Sequence, residues 1–415
     1  MNNPRNLYSN SKFYYSIVNV LESKLISWIL IPDHRDPLRS TLSWIIFIFL
    51  TFVVPVLSHS VFRCSNCDQN YYRPFDLIVQ VSLSLFSTLS FVSLFRFTRK
   101  YGIRRFLFLD KLEGVRDHVR LQYSNELHRS ARLLCVFTLP CFLADSVYNI
   151  WWFTSGGNKI PYLYNVYLSH VMACMLHMSS WLYRTSLFLL VCVLFKLACY
   201  LQILRLDDFA QVFDKLSDVG PILVEHLTIK RNLRVISHRF RAFILSTLVF
   251  VTASQFASLL VTTVEGSVVN ISTTGELALC SITLVFGLYI CQHSAAKITH
   301  KAQSLTSLVT KWHICATTDS FDETRSSNIT QQMVELDSEN EIGDGDDELN
   351  STKFIPVYKH TISYQQRQAL VTYFENNETG ITVYGFMLDR TSINTVFAIQ
   401  LSLALWLLDK TIGFA

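Results

Sequence analysis

Half of the 415 residues are hydrophobic and only 16% are charged, well under the roughly 25% charge of ordinary soluble domains. Mean hydropathy is positive, at +0.28, and the net charge of +4 is modest and unevenly spread. These values exclude a nucleic-acid partner and point to the lipid bilayer.

Residues 1–39 are predicted to form a cytosolic tail. Its first 21 residues lack Asp and Glu and carry Arg5 and Lys12, a weak echo of an organelle transit peptide beside a plainer reading, an interfacial amphipathic helix around Phe13–Ile31. Seven apolar runs follow, at 40–62, 75–95, 131–153, 163–204, 241–263, 274–296 and 388–408, each long enough to span hydrocarbon. The expected fold is therefore all-α with seven transmembrane helices. The fourth run is about twice the length a span needs; either one half crosses, or one helix continues past the bilayer. Residues 40–317 hold spans one to six with helical cytosolic extensions, and 318–353 form an acidic linker expected to be disordered. Residues 354–415 form a split seventh span, an anchor helix and then a pore helix. Most of the ten cysteines lie in apolar runs, where Cys behaves as a small hydrophobe.

Basic residues set the predicted orientation. The tail and the segments 96–132, 196–241 and 297–390, which take in the adjoining span ends, carry thirty-one Lys and Arg; the alternate loops carry three, Arg63, Arg73 and Lys159. The N-terminus is predicted to be cytosolic and the C-terminus extracellular or lumenal. Asp409 and Lys410, at the tip of an apolar run, then reach the outer face. The membrane expected is the plasma membrane, with an organelle membrane as the alternative.

Several residues stand out on this frame. Cys64 and Cys67 lie in the first outer loop as a CxxC, where an oxidising exterior would close a disulfide; a zinc site would need a second pair. Asn270 begins the sequon on the predicted outside, whereas Asn328, Asn350 and Asn377 fall in the cytosol and are expected to stay bare. Aromatic and polar groups gather at the outer ends of spans three and four: Tyr148, Trp151, Trp152, Tyr164, Tyr167, His170 and His177. They suit either a small-molecule pocket or interfacial anchoring. His170, Cys174 and His177 share a helix face without an evident fourth ligand, so no metal is assigned. Asp145 and Arg184 are ionisable groups at membrane depth; Arg184 is expected to snorkel to the cytosolic interface. Ser402, Trp406 and Asp409 recur at i, i+4 and i+7 on one face of the last helix. No catalytic constellation, cofactor motif or internal repeat appears, so neither an enzyme nor an inverted-repeat transporter is expected.

The stretches "RCSNCDQNYYRPFDLIVQVSLS", "RKYGIRRFLFLDKL", "LPCFLADSVYNIWWF", "LQILRLDDFAQVF", "ITHKAQSLTSLVTKWHICATTDSFD" and "RQALVTYFENNETGITVYGFMLDR" resemble the plant gustatory receptor-like proteins over most of residues 33–415. "GITVYGFMLDRTS" before an apolar terminal helix also resembles insect gustatory and odorant receptors. The resemblance implies a homo- or hetero-tetramer whose cytosolic extensions pack into an anchor and whose last helix lines a central cation pore. Placing Arg390 on the matching basic position puts Ser402-Leu403 where the insect pattern has Thr-Tyr and Asp409-Lys410 where it has Gln-Phe. Trp406 falls near the constriction, where four inward rings would close a narrow pore. The implied function is a ligand-gated, non-selective cation channel with an unknown small-molecule ligand. The alternative is a non-conducting receptor or scaffold that signals through its cytosolic bundle.

Overall fold

Backbone in hydrocarbon must satisfy its own N–H and C=O groups, so apolar runs of this length fold as helices. The computed structural model describes residues 37–62, 75–101, 117–155, 166–213, 219–263, 271–322 and 364–412. The tail before residue 37, Cys64, Cys67, Asn270, Tyr164 and most of the acidic linker lie outside them. In chain order the elements are α1 (Pro37–Ile48), a π-helical stretch (Phe49–Val53), α2 (Val54–Phe62), α3 (Asp76–Tyr101), α4 (Asp117–Ser155), α5 (Val166–Phe213), α6 (Val219–Thr263), α7 (Ile271–Asp322), α8 (Tyr364–Asn376), two strands and α9 (Arg390–Ile412). Six helical segments are long and apolar enough to cross a bilayer, and α9 adds a shorter apolar stretch, Asn394–Trp406. The fourth apolar run lies in one continuous helix of 48 residues, Val166–Phe213.

The chain divides into two compact units. The first comprises Met1–Leu201, Ile236–Lys297 and Thr382–Ala415. In the most apolar stretches, 83% of α5 and 72% of α7 are buried, against 22% of α4 and 28% of α6. Helices α5 and α7 are therefore central and α4 and α6 peripheral. Rings fill the spaces between helices: Phe47 stacks on Phe91 with centroids 4.0 Å apart, and Phe137 on Phe286 at 3.6 Å. Gly287 of α7 is a close-approach glycine, because a Cβ there would collide with the Phe188 ring of α5. Phe188 is held from another side by Phe86, at 5.1 Å.

The second unit comprises Gln202–Val235 and Ile298–Ile381. Its helices bury narrow stripes: Ile222, His226, Ile229 and Leu233 on α6, Ile298, Ala302, Leu305 and Val309 on α7, Leu370 and Phe374 on α8. Steps of three and four residues keep each stripe on one helix face. An ion pair joins Lys301 to Asp207, and Lys230 donates to the Asn377 side-chain carbonyl at 2.9 Å.

Between α8 and α9 the chain forms an antiparallel hairpin, β1 (Thr382–Val383) with β2 (Phe386–Met387). The break between α8 and α9 is thus a tight turn. Tyr384 and Gly385 both have positive φ, 49° and 92°, which is the two-residue loop geometry matched to strand twist. Arg241 stacks over the Tyr384 ring at 5.0 Å, anchoring a residue that pays for a left-handed backbone. Asp389 then accepts the N–H of Arg390 at 2.7 Å, placing an anion at the start of α9.

Candidate functional site

The first unit holds a buried polar network that begins with a proline. Pro55 has no N–H, and Val54 donates to the carbonyl five residues back, that of Phe49. Intervening carbonyls are thereby released from the ordinary helical ladder. Two serines from other helices take them. Ser180 of α5 donates to the Leu50 carbonyl at 2.6 Å, and Ser84 of α3 donates to the Thr51 carbonyl at 2.8 Å. Thr51 and Ser87 hydroxyls meet at 3.3 Å. The π stretch is thus a docking edge for α3 and α5.

Arg184 sits where those serines converge. It is 1% exposed and, contrary to expectation, is held inside the helix packing, because α3 offers acceptors within hydrogen-bond reach. Its Nη2 donates to the Gln80 Oε1 at 2.7 Å; Nη1 donates to the Gln80 carbonyl and the Ser84 hydroxyl, each at 3.3 Å. Its Nε donates to the Ser180 carbonyl at 3.2 Å. Gln80 relays to Asp76, donating to Oδ1 at 3.0 Å, and His59 lies 3.6 Å from Oδ2 of the same carboxylate. Asp76, Asp145 and Glu276 all act electrostatically on the guanidinium. A buried cation without carboxylate contact is costly in low dielectric; four donated bonds and the nearby acids make it tenable.

His177 belongs to a neighbouring polar group. Its Nε2 is 3.5 Å from Oε1 of Glu276 on α7, and its Nδ1 is 3.3 Å from the Ser58 hydroxyl on α2. Asp145 and Asn149 are bonded along α4, with Asn149 Nδ2 3.0 Å from Oδ2 of Asp145.

The other pocket candidates separate. Tyr167 is 82% exposed and Trp151 is also exposed, with half-buried Tyr148 beside it at 6.3 Å. Trp152 is buried against Phe153, which meets His170 edge-on across the α4–α5 seam at 6.4 Å. The structure therefore brings Trp152 and His170 to one seam, sends His177 to the polar network, and leaves Tyr148, Trp151 and Tyr167 towards the outside.

On α9 the sides differ sharply. Gln400 and Ala404 are buried. Gln400 Nε2 donates to Thr252 Oγ1 at 2.6 Å, and Gln255 Nε2 donates back to the Gln400 carbonyl at 3.1 Å, both partners on α6. Ser402 and Asp409 are exposed and Trp406 is half-buried. Ser402 donates to the Ala398 carbonyl of its own helix at 2.8 Å.

In the second unit Tyr373 hydroxyl meets His226 Nδ1 at 3.3 Å, and burial pushes the Tyr373 phenol up from its ordinary value. Sequence reasoning passed over Pro55, Gln80, Glu276 and Gln400. The available signal was a lone amide or acid inside an apolar run, which in lipid needs a partner.

Residues 18–399 match the family described as "Protein of unknown function (DUF3537)", and the chain belongs to that family. No curated protein matches it. Among solved structures, the insect olfactory receptor OR5 from Machilis hrabei is similar, with a TM-score of 0.53 and 12% identity, covering 97% of this chain and 98% of the other. The same receptor in complex with eugenol gives 0.52 and 12%, over 96% and 98%. The fold is thus the seven-helix fold of an insect olfactory receptor, and the chain is an integral, multi-pass membrane protein. The kinship with plant gustatory receptor-like proteins drawn from the sequence narrows here to the DUF3537 family and this fold.

Proposed function

We propose that this DUF3537 member is a tetrameric, ligand-gated, non-selective cation channel whose pore is lined by α9, with a cytosolic N-terminus and an extracellular or lumenal C-terminus. The observation that carries the reading is the two-sidedness of α9. One side is hydrogen-bonded to α6 through Gln400, while Ser402 and Asp409 are exposed on the single chain. Around a four-fold axis, four such faces would set a ring of Asp409 carboxylates above an apolar collar at Trp406. The ring concentrates cations and the collar gates by dewetting. The fold shared with an olfactory receptor that has been solved in complex with eugenol supports a small-molecule ligand. The α4–α5 seam at Trp152 and His170 is where such a molecule would act on the central helix. The thirty-one-to-three excess of Lys and Arg supports the orientation.

The test is purified protein in planar bilayers under asymmetric sodium and calcium. Unitary currents are expected, larger in Trp406→Ala and with reduced calcium preference in Asp409→Asn. Silence in wild type and Trp406→Ala alike rejects conduction. It would leave the second reading, a receptor signalling without a pore, which the bulk of Trp406 favours.

A further inference from the structure

Helix α4 carries a basic foot below a ridge of apolar side chains. Asn125, Arg129 and Arg132 are exposed, His128 is half-buried beside them, and the four line an open hollow of about 700 Å³. At about 100° per residue, Asn125, Arg129 and Arg132 fall on one line with Val136, Leu139, Leu143, Val147 and Ile150. All five apolar residues are exposed, Val136 and Val147 at 67%. From Arg132 to the exposed Trp151 the helix rises roughly 28 Å, about the thickness of a hydrocarbon core. No acid lies on this ridge. The acid in the same turn, Glu126, is taken up by Lys196 of α5 at 2.8 Å.

We infer that the foot of α4 binds an anionic phospholipid, its headgroup on Arg129, Arg132 and Asn125 and its acyl chains along the Val136–Ile150 ridge. The two guanidinium forks suit phosphate oxygens, the Asn125 amide adds a neutral donor, and the ridge continues the site in the direction the tails must run. Charge selects the lipid: each basic group near a membrane surface favours an anionic headgroup about fivefold, so the pair favours it roughly 25-fold over a zwitterionic one. The inference needs α4 to cross a bilayer and is independent of whether the protein conducts.

The test titrates phosphatidylserine and phosphatidylcholine separately into detergent-solubilised full-length protein, and reads the first binding step by native mass spectrometry. Wild type is expected to prefer phosphatidylserine by roughly 25-fold. Arg129→Gln with Arg132→Gln should abolish the preference, and Arg129→Lys with Arg132→Lys should keep most of it. A control that removes two exposed basic groups elsewhere, Lys311→Gln with Arg390→Gln, should leave it intact. Asn125→Asp, one added acid on the ridge, should lower it about fivefold and stands as the deciding variant should the double glutamine protein fail to fold. A preference that survives the glutamine pair, that is undiminished in Asn125→Asp, that falls equally in the control, or that is missing from wild type overturns the assignment.

Discussion

Replacing Gly287 by Ala sets two known effects against each other. Alanine stabilises a helix interior by about 1 kcal/mol relative to glycine. The new methyl, however, occupies the space of the Phe188 ring, and forcing extra volume into a packed core costs about 1–3 kcal/mol. Phe188 is 2% exposed, with Phe86 against it, so the ring has little room to retreat and the upper part of that range applies. The expected net effect is a loss of about 1–2 kcal/mol. Reversible unfolding in mixed SDS and dodecyl maltoside micelles, followed by tryptophan fluorescence, measures it. A cycle with Phe188→Leu isolates the cause: in the leucine background Gly287→Ala should be neutral or stabilising, giving a coupling of about 2 kcal/mol. Additive single effects, or an alanine variant at least as stable as wild type, would refute the close approach of α5 and α7.

Other substitutions probe the polar contacts by the same assay. Arg184→Lys keeps the charge but loses the fork that reaches Gln80 and Ser84 together; a destabilisation of about 1–3 kcal/mol is expected, and a neutral result would deny the network. Pro55→Ala restores an N–H beside the π stretch, so Ser84→Ala should cost about 0.6 kcal/mol in wild type and less in the Pro55→Ala protein. Gln400→Leu removes the bond to Thr252. It should cost about 0.6–1.7 kcal/mol and, if the channel reading holds, raise ligand-independent current in bilayer recordings.

The helices were legible because lipid imposes one rule on every span. Each apolar run in the sequence became a helix, and the amphipathic flanks lengthened them: α4 begins at Asp117, α6 at Val219 and α7 ends at Asp322, well beyond the hydrophobic parts. The hairpin was not legible, since its strands are two residues each and Tyr-Gly is a weak loop signal. Nor was the position of Arg184. Distance along a helix says how deep a residue lies, but its fate depends on the neighbour, and only the pairing of α3 with α5 shows Gln80 and Ser84 within reach. The last helix divides the same way. Its 3.6-residue period put Ser402 and Asp409 on one face, whereas the choice of Gln400 as the bonded side follows from Thr252 and Gln255 on another helix.

The placement of polar groups has a physical logic that follows from the solvent. Lipid tails are as apolar as leucine, so apolar faces alone do not choose which helix rotations meet. A hydrophobic replacement of Arg184 would fill the same space with less desolvation cost, and bulk stability therefore does not explain the residue. What it supplies is register: one guanidinium, bound at Gln80, Ser84 and Ser180, admits one vertical and rotational setting of α3 against α5, and the freed carbonyls of Leu50 and Thr51 fix the π stretch in that setting. Gln400 does the same for α9 against α6. A shift of α5 by even one residue, about 1.5 Å, would lengthen the bonds from both Ser180 and Arg184 together. Any motion of α5 against α3 must therefore either carry the network as a rigid piece or break several of its bonds together.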